Sequence, residues 1–220
     1  MTQYKLAIFD FDGTLADTFP WFQRVINDVA DKFRFRPVLD GEADLLRGMS
    51  AHEILVHLGI ARWKVPRIAR HMRLLMAQDI RNVHVFSGVH AMLRQLSESG
   101  IVLAVASSNI EENVRQVLGP ASASLVNHYA CGASIFGKQV KLRAVVRRSG
   151  LPPDQIIYIG DEIRDLDAAR PLGISFGAVT WGYTRPDQLA ALSPTMMFMS
   201  IDEIVEKLAA GFACNREAIK

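Results

Sequence analysis

The chain has 220 residues, half of them hydrophobic and 22% charged, with a mean hydropathy of +0.13. At about 100–200 residues per domain, that is one domain or one domain carrying an insertion, and the apolar content excludes a disordered chain. No uncharged apolar run approaches the ~18–20 residues of a membrane span, and 25 Lys and Arg against 23 Asp and Glu lack the basic excess of a nucleic-acid binder.

The N-terminus has no long apolar run and no small-residue cleavage site, so a cytoplasmic protein is expected. Cys131 and Cys214 stand far apart, without the spacing of a zinc site or a disulfide framework. Cys131, in an apolar stretch, reads as a small core residue.

Residues 4–9 form a short apolar run that reads as a buried strand, ended by Asp10-Phe11-Asp12-Gly13. From Pro20 to about residue 84 there is no strand signal. Pro20 suits a first helical turn, and Trp21, Phe22, Val25, Ile26, Val29 and Phe33 follow at helical spacing. Further helices are predicted over 43–47, 51–58 and 65–80, with Gly48 and Gly59 between them; Gly59 fits a C-terminal cap. Ser87 is expected to cap a helix running to residue 99, with Gly100 as its stop. Residues 101–106 read as a second buried strand. Asn109 is expected to cap the next helix, whose first turn carries Glu111 and Glu112, the favourable sign for the helix dipole. A helix over 138–149 stops at Gly150. A third strand over 156–159, a helix over 163–172 closed by Gly173, and a fourth strand over 174–179 follow. A candidate fifth strand over 196–198 precedes a last helix from about residue 202.

Strands separated by helices predict right-handed crossovers and a parallel sheet covered on both faces. The expected fold is therefore α/β: a Rossmann-like parallel sheet core, residues 1–16 and 86–220, with an inserted all-helical cap subdomain over 17–85. The insert carries eleven Lys and Arg against eight Asp and Glu, a net +3. Its two connectors, over 16–19 and about 82–87, look too short of ordering signals to fix the cap rigidly against the core.

In open α/β sheets, ligands bind beyond the carboxyl ends of the strands. The first strand is followed by Asp10, Asp12, Gly13 and Thr14, the second by Ser107, Ser108 and Asn109, and the third by Gly160, Asp161 and Glu162, with Asp165 one helical turn on. Lys138 opens the helix before the third strand. Carboxylates this dense repel one another, which a hard divalent cation such as Mg²⁺ relieves. The lysine, the serines and backbone N–H groups at a helix start suit an anion. Metal, anion and carboxylates in one crevice point to phosphoryl transfer.

The segments DFDGTL, VASSN, FGKQVKL and IGDEIRDLDAARPLG resemble, in order and spacing, the four motifs of the haloacid dehalogenase superfamily of phosphohydrolases. A helical insert straight after the first motif resembles the subfamily with an α-helical cap, and the tail VTWGYTRPDQL is most similar to phosphoglycolate-phosphatase-type members. The resemblance implies a Mg²⁺-dependent phosphoric monoester hydrolase acting on a small-molecule phosphate ester, phosphoglycolate-like or a sugar phosphate, with no nucleic-acid or membrane partner. It implies Asp10 as nucleophile, Asp12 as general acid/base, and Lys138 as the cation neutralising nucleophile and phosphoryl group. Ser107, with Ser108 as competitor, and the turn at Gly13 and Thr14 would bind phosphate. Asp10, Asp12 and Asp161 would hold Mg²⁺, the second of them through its backbone carbonyl. Asp165, and Glu162 beside it, would form the outer shell around a metal-bound water or Lys138. The alternatives are a phosphomutase of the same fold, for which no retention signal for a bisphosphate is present, and a non-catalytic binding protein, against which the intact acidic set argues.

Within the insert, Arg47 beside Gly48 stands at a helix–helix corner and is the candidate for a distal substrate anion. Arg67, Arg70 and Arg73 recur every three residues and read as one solvated helix face. His52 lies near the same corner. Trp21 and Phe22 read as cap core or pocket mouth, and Trp181 as packing after the fourth strand.

Overall fold

The computed structural model describes residues 4–132 and 137–217, with side chains described up to residue 209. Its strands are β1 (Leu6–Phe9), β2 (Val102–Ala106), β3 (His128–Ala130), β4 (Ile156–Gly160), β5 (Ser175–Val179) and β6 (Met196–Phe198). They form one six-stranded sheet in the order β3-β2-β1-β4-β5-β6, with every pairing parallel. Between β1 and β2 lie α1 (Phe19–Phe33), α2 (Ala43–Arg47), α3 (Ala51–His57), α4 (Val65–Asp79) and α5 (Val89–Glu98). The later crossovers use α6 (Glu111–Leu125), α7 (Lys138–Ser149), α8 (Ile163–Ala169) and α9 (Pro186–Ala191), and α10 (Ile201–Glu217) closes the fold.

Alternation along the strands sends Ala7, Phe9, Leu103, Val105, Ile157 and Ile159 to one face, where they pack with α5, α6 and α10. Leu6, Ile8, Ala104, Tyr158 and Phe176 face the other way, against α7, α8 and α9. A sheet buried on both faces explains why its strands read as continuous apolar runs. The inserted helices have their own small core around Ile26, Val29, Ala30, Phe35 and Leu58. Among the described residues, no helix is long and apolar enough to cross a membrane.

Several local expectations need correction. β3 was not foreseen, because a three-residue edge strand with half-buried side chains carries too little periodicity to register. Gly88, at φ +92°, precedes α5, and Ser87 does not cap it. Asn109 stands one residue further from α6 than expected: Ile110 occupies the cap position, while Asn109 Oδ1 accepts from the N–H of Ile110 and from Asn113 Nδ2, both at 3.0 Å. The helix expected over 163–172 ends as α and continues as a 3₁₀ turn to Gly173 at φ +66°. Cys131 is half-buried against the first core, and burial pushes its thiol up to about 12. Cys214 lies beyond the described side chains.

The connectors to the insert are also more ordered than expected. The N–H of Asp17 donates to His84 O at 2.9 Å and the N–H of Phe86 to Leu15 O at 3.0 Å, so the two crossing segments brace each other as a short antiparallel pair at Ala16 and Val85.

Inside the insert, Glu42 organises the segment between α1 and α3. Its carboxylate accepts from the N–H of Leu39 at 2.9 Å, and from Arg36 and His57 at 2.7 and 2.6 Å. The Leu39 N–H first, then His57 and Arg36, hold its carboxyl down at about 2. A folded-state value below the ordinary 4.5 means that this stabilisation is present above the ordinary value and lost as pH falls through the folded one. Thermal melts between pH 5 and pH 2.5 should therefore show a steeper acid loss for the native chain than for Glu42→Gln. Parallel losses would remove Glu42 from this role.

Candidate active site

The sheet order reverses at β1: β2 and β3 lie on one side of it, β4 to β6 on the other. That switch point leaves a crevice beyond the carboxyl ends, and the ends of β1, β2 and β4 deliver Asp10, Ser107 and Asp161 into it. The N–H of Asp10 still donates to Ile159 O at 2.8 Å, so the sheet ladder itself fixes its backbone. The chain then turns tightly, with the N–H groups of Leu15 and Ala16 both donating to Phe11 O and that of Gly13 to Ala16 O. Gly13 sits at φ +76°, and a Cβ there would collide with Asp161 Oδ2. Only glycine meets both the left-handed backbone and the close approach.

Asp10, Asp161 and Asp165 are buried, and one carboxylate oxygen of each lies within 4.8 Å of the others. Lys138, in the first turn of α7 and also buried, donates to Asp10 Oδ2 at 2.6 Å and to Asp165 Oδ1. The lysine that opposes its own helix dipole is thus held by two acids. Asp165 also accepts from Tyr158 Oη and from the N–H of Glu162, both at 3.0 Å. With three donors on it, Asp165 positions the lysine. Burial raises Asp10 to about 7, partly offset by Lys138, and burial, reinforced by Glu162 and Asp10, raises Asp161 well above the usual carboxylate range. The two carboxylates Asp10 and Asp165 hold Lys138 charged despite its burial. One ammonium does not offset three buried acids, so the donor set fits a hard divalent cation as a further counter-charge.

Asp161 is clamped from two sides. Thr14 Oγ1 donates to its Oδ1 at 2.7 Å, and the N–H of Tyr183 to its Oδ2, also at 2.7 Å. The loop after β5 therefore wraps the acid, and Gly182 passes so close that a Cβ there would collide with Asp161 Cβ. Tyr183 further bonds Thr18 through its hydroxyl at 3.0 Å and meets Phe19 and Phe22 edge-on. Trp181 packs against Phe86 and donates to Thr14 O at 3.1 Å. Sequence reading missed Tyr183 and Gly182 as site-builders, and likewise Tyr158. Their only signal was position just after a strand end or within a strand.

Asp12 is half-buried, and burial raises its carboxyl above the usual range. Ser107 is fully buried; its hydroxyl lies 3.5 Å from Asp12 Oδ2 and accepts from the N–H of Asn109 at 3.0 Å. Ser108 instead faces an open cavity together with Asp12 and Asn109. Glu162, beside Asp161, pairs with Arg164 rather than with the cluster's lysine.

The arginines of the insert part company. Arg47 donates to Gly182 O at 2.9 Å and to Tyr183 O at 3.2 Å, with Asp44 at 3.4 Å and its guanidinium over the Phe19 ring. It clasps the insert to the loop that holds Asp161. Arg67 and Arg70 line a second hollow with Lys32, Arg34 and Lys64, while Arg73 lines the cavity above Asp12, as do Trp21 and Phe22. His52 is exposed on α3. Removing the clasp with Arg47→Ala should lower kcat/KM on all phosphate esters alike, by about 10-fold or more for two lost charge-assisted bonds. A loss confined to esters with a distal anion would show instead that Arg47 leaves the clasp to bind substrate.

The model of the family described as haloacid dehalogenase-like hydrolase matches residues 7–179. A phosphoglycolate phosphatase of Synechococcus elongatus is 30% identical over 203 residues, 92% of this chain and 96% of that one. The tyrosine-protein kinase PtkA of Mycobacterium tuberculosis is 29% identical over 216 residues, 93% of this chain and 72% of its own. Among solved structures, a haloacid dehalogenase-like family hydrolase of Streptococcus pneumoniae superposes with a TM-score of 0.77 at 20% identity, over 94% of this chain and 99% of that one.

Proposed function

We propose, for a chain that belongs to the haloacid dehalogenase-like hydrolase family, a Mg²⁺-dependent phosphatase that hydrolyses a small phosphate ester through a phosphoaspartyl intermediate. The observation that carries this reading is the buried Asp10–Lys138–Asp165 chain beside Asp161, opening toward Asp12 and Ser108. The Synechococcus relative weighs most on the side of hydrolysis because the match spans 96% of its length, against 72% for the kinase.

Lys138 occupies Asp10 Oδ2, which leaves Oδ1 to attack phosphorus. The bond from phosphorus to the leaving oxygen breaks as Asp12 gives that oxygen its proton, and the phosphoryl group stays on Asp10. Asp12, now a carboxylate, takes a proton from water, whose oxygen attacks phosphorus and releases Asp10. The raised value of the Asp12 carboxyl suits an acid that must be protonated at the first step. Lys138 neutralises charge throughout, and Ser107 or Ser108 holds the phosphoryl oxygens. Gly13 and Thr14, expected to share that role, instead shape the turn, since the Gly13 N–H donates to Ala16 O, the Thr14 N–H to Phe11 O and Thr14 Oγ1 to Asp161. Asp10, Asp161 and the Asp12 carbonyl would hold Mg²⁺, which supplies charge neutralisation for an incoming phosphate dianion. Residues 17–85 act as the cap over a core of 1–16 and 86–220.

The test is phosphate release from a panel of phosphate esters, phosphoglycolate and sugar phosphates included. Release should require Mg²⁺, stop in EDTA and return when Mg²⁺ is restored. Ca²⁺ should not restore it, because its larger and looser shell misplaces the nucleophile. Equal rates with and without EDTA would overturn the metal assignment.

A further inference from the structure

Beyond Asp12, Ser108 and Asn109 the site opens into a cavity of about 370 Å³ between the inserted helices and the strand ends, within the size range of small-molecule sites. Its far walls are aliphatic and aromatic. Phe22 comes from α1, Ile54 and Leu55 from α3, and Ile68, Met72 and Met76 from α4. The charges at the wall are largely engaged: Arg47 is bonded to the carbonyls of Gly182 and Tyr183, and Arg164 to Glu162. Arg73 alone of the lining cations has no ion-pair partner among the described residues.

A hollow with such walls is a poor place for water, which needs two to four polar partners. Its apolar end is equally poor for a sugar, whose several hydroxyls would find few partners there besides Arg73 and the Trp21 N–H. A two-carbon acid would leave most of it empty, and an unfilled apolar void forfeits its dispersion contacts.

We propose that the substrate of this site is a phosphomonoester of an apolar alcohol, aliphatic or aromatic, whose carbon chain fills the cavity of the cap. The inference rests on the phosphatase reading and specifies its leaving group. The chemistry balances as for any such ester. The phosphorus–oxygen bond to the alcohol breaks, the alcohol leaves with the proton from Asp12, and water provides the oxygen of the inorganic phosphate.

The experiment measures kcat/KM for ethyl, butyl, hexyl and octyl phosphate beside phosphoglycolate and glucose 6-phosphate. Each methylene buried in the cavity is expected to raise kcat/KM by up to about fourfold, so hexyl phosphate should exceed ethyl phosphate at least about tenfold. Ala69 also lines the cavity, and Ala69→Phe should flatten this dependence on chain length. A flat series, or a preference for phosphoglycolate or the sugar phosphate, overturns the apolar assignment and leaves the phosphatase reading standing. Loss of a phosphoglycolate preference in Arg73→Ala would show that the cavity reads an anion instead. If no ester is hydrolysed, the phosphatase reading falls, and binding decides the cavity separately. By titration calorimetry, hexylphosphonate should then bind at about tenfold lower concentration than ethylphosphonate, and equal or absent binding overturns the inference.

Discussion

Asp10→Asn is expected to cut turnover by about ten-thousand-fold or more, with the fold and melting temperature nearly unchanged. An amide oxygen is a poor nucleophile toward phosphorus, and the two buried carboxylates beside it are not free to replace it. Asp161 is tied on both oxygens by Thr14 and Tyr183, and Asp165 by Lys138, Tyr158 and the Glu162 N–H. Stability should survive because Asn has the same shape and the substitution removes a buried charge that the fold itself disfavours, as its value of about 7 shows. Lys138 keeps Asp165 as a partner. Phosphate release, with mass spectrometry to exclude deamidation back to Asp, checks the result. Wild-type turnover by the Asp10→Asn protein, with its amide intact, would exclude covalent catalysis at this position.

Lys138→Met should damage both stability and catalysis. Removing one partner from a buried ionic set leaves the others uncompensated, at a cost of about 3–5 kcal/mol, or roughly 10 °C in melting temperature for a chain of this size. Catalysis should fall by about 100- to 1000-fold, the usual loss for one electrostatic stabiliser of a transition state. The pH dependence identifies the cause. Without the ammonium, Asp10, whose carboxyl burial already raises to about 7, faces Asp165 with no counter-charge between them. A raised folded-state value stabilises at low pH and loses that contribution as pH rises. The deficit of Lys138→Met should therefore be largest near pH 8 and shrink toward pH 5.5. A deficit independent of pH would point to lost packing of the lysine stem.

The same arrangement shows why the insert and the core act on one another. Asp161 is held by a loop, the loop is held by Arg47 of α2, and Tyr183 of that loop packs on Phe19 and Phe22 of α1. Displacing α1 and α2 from the core would release the clamp on Asp161.

The chain by itself determined the class of fold, the order of its elements and the acidic centre. β1, β2, β4 and β5 announce themselves because strands buried on both faces must be apolar throughout. The residues that follow them are legible because parallel strands carry all their carboxyl ends to one side. α7 begins and ends where Lys138 and Gly150 indicate, since a helix stop in the left-handed conformation is written in a single glycine. Tertiary structure alone decided what depends on rotation, distance or exclusion. Arg67, Arg70 and Arg73 looked like one face, yet at 3.6 residues per turn six positions rotate the side chain by about 120°, enough to put Arg73 in the cavity and Arg67 in another hollow. Arg47 was legible as a cation at a corner, but its partners are two carbonyls more than a hundred residues away. The clamp of Tyr183 on Asp161 uses a backbone N–H, a group every residue but proline owns and no side-chain pattern reveals. The apolar cavity likewise arises only when helices packed around their own small core are set over the strand ends, because what a stripe of Ile, Leu and Met encloses is fixed by the spacing of the helices that carry it.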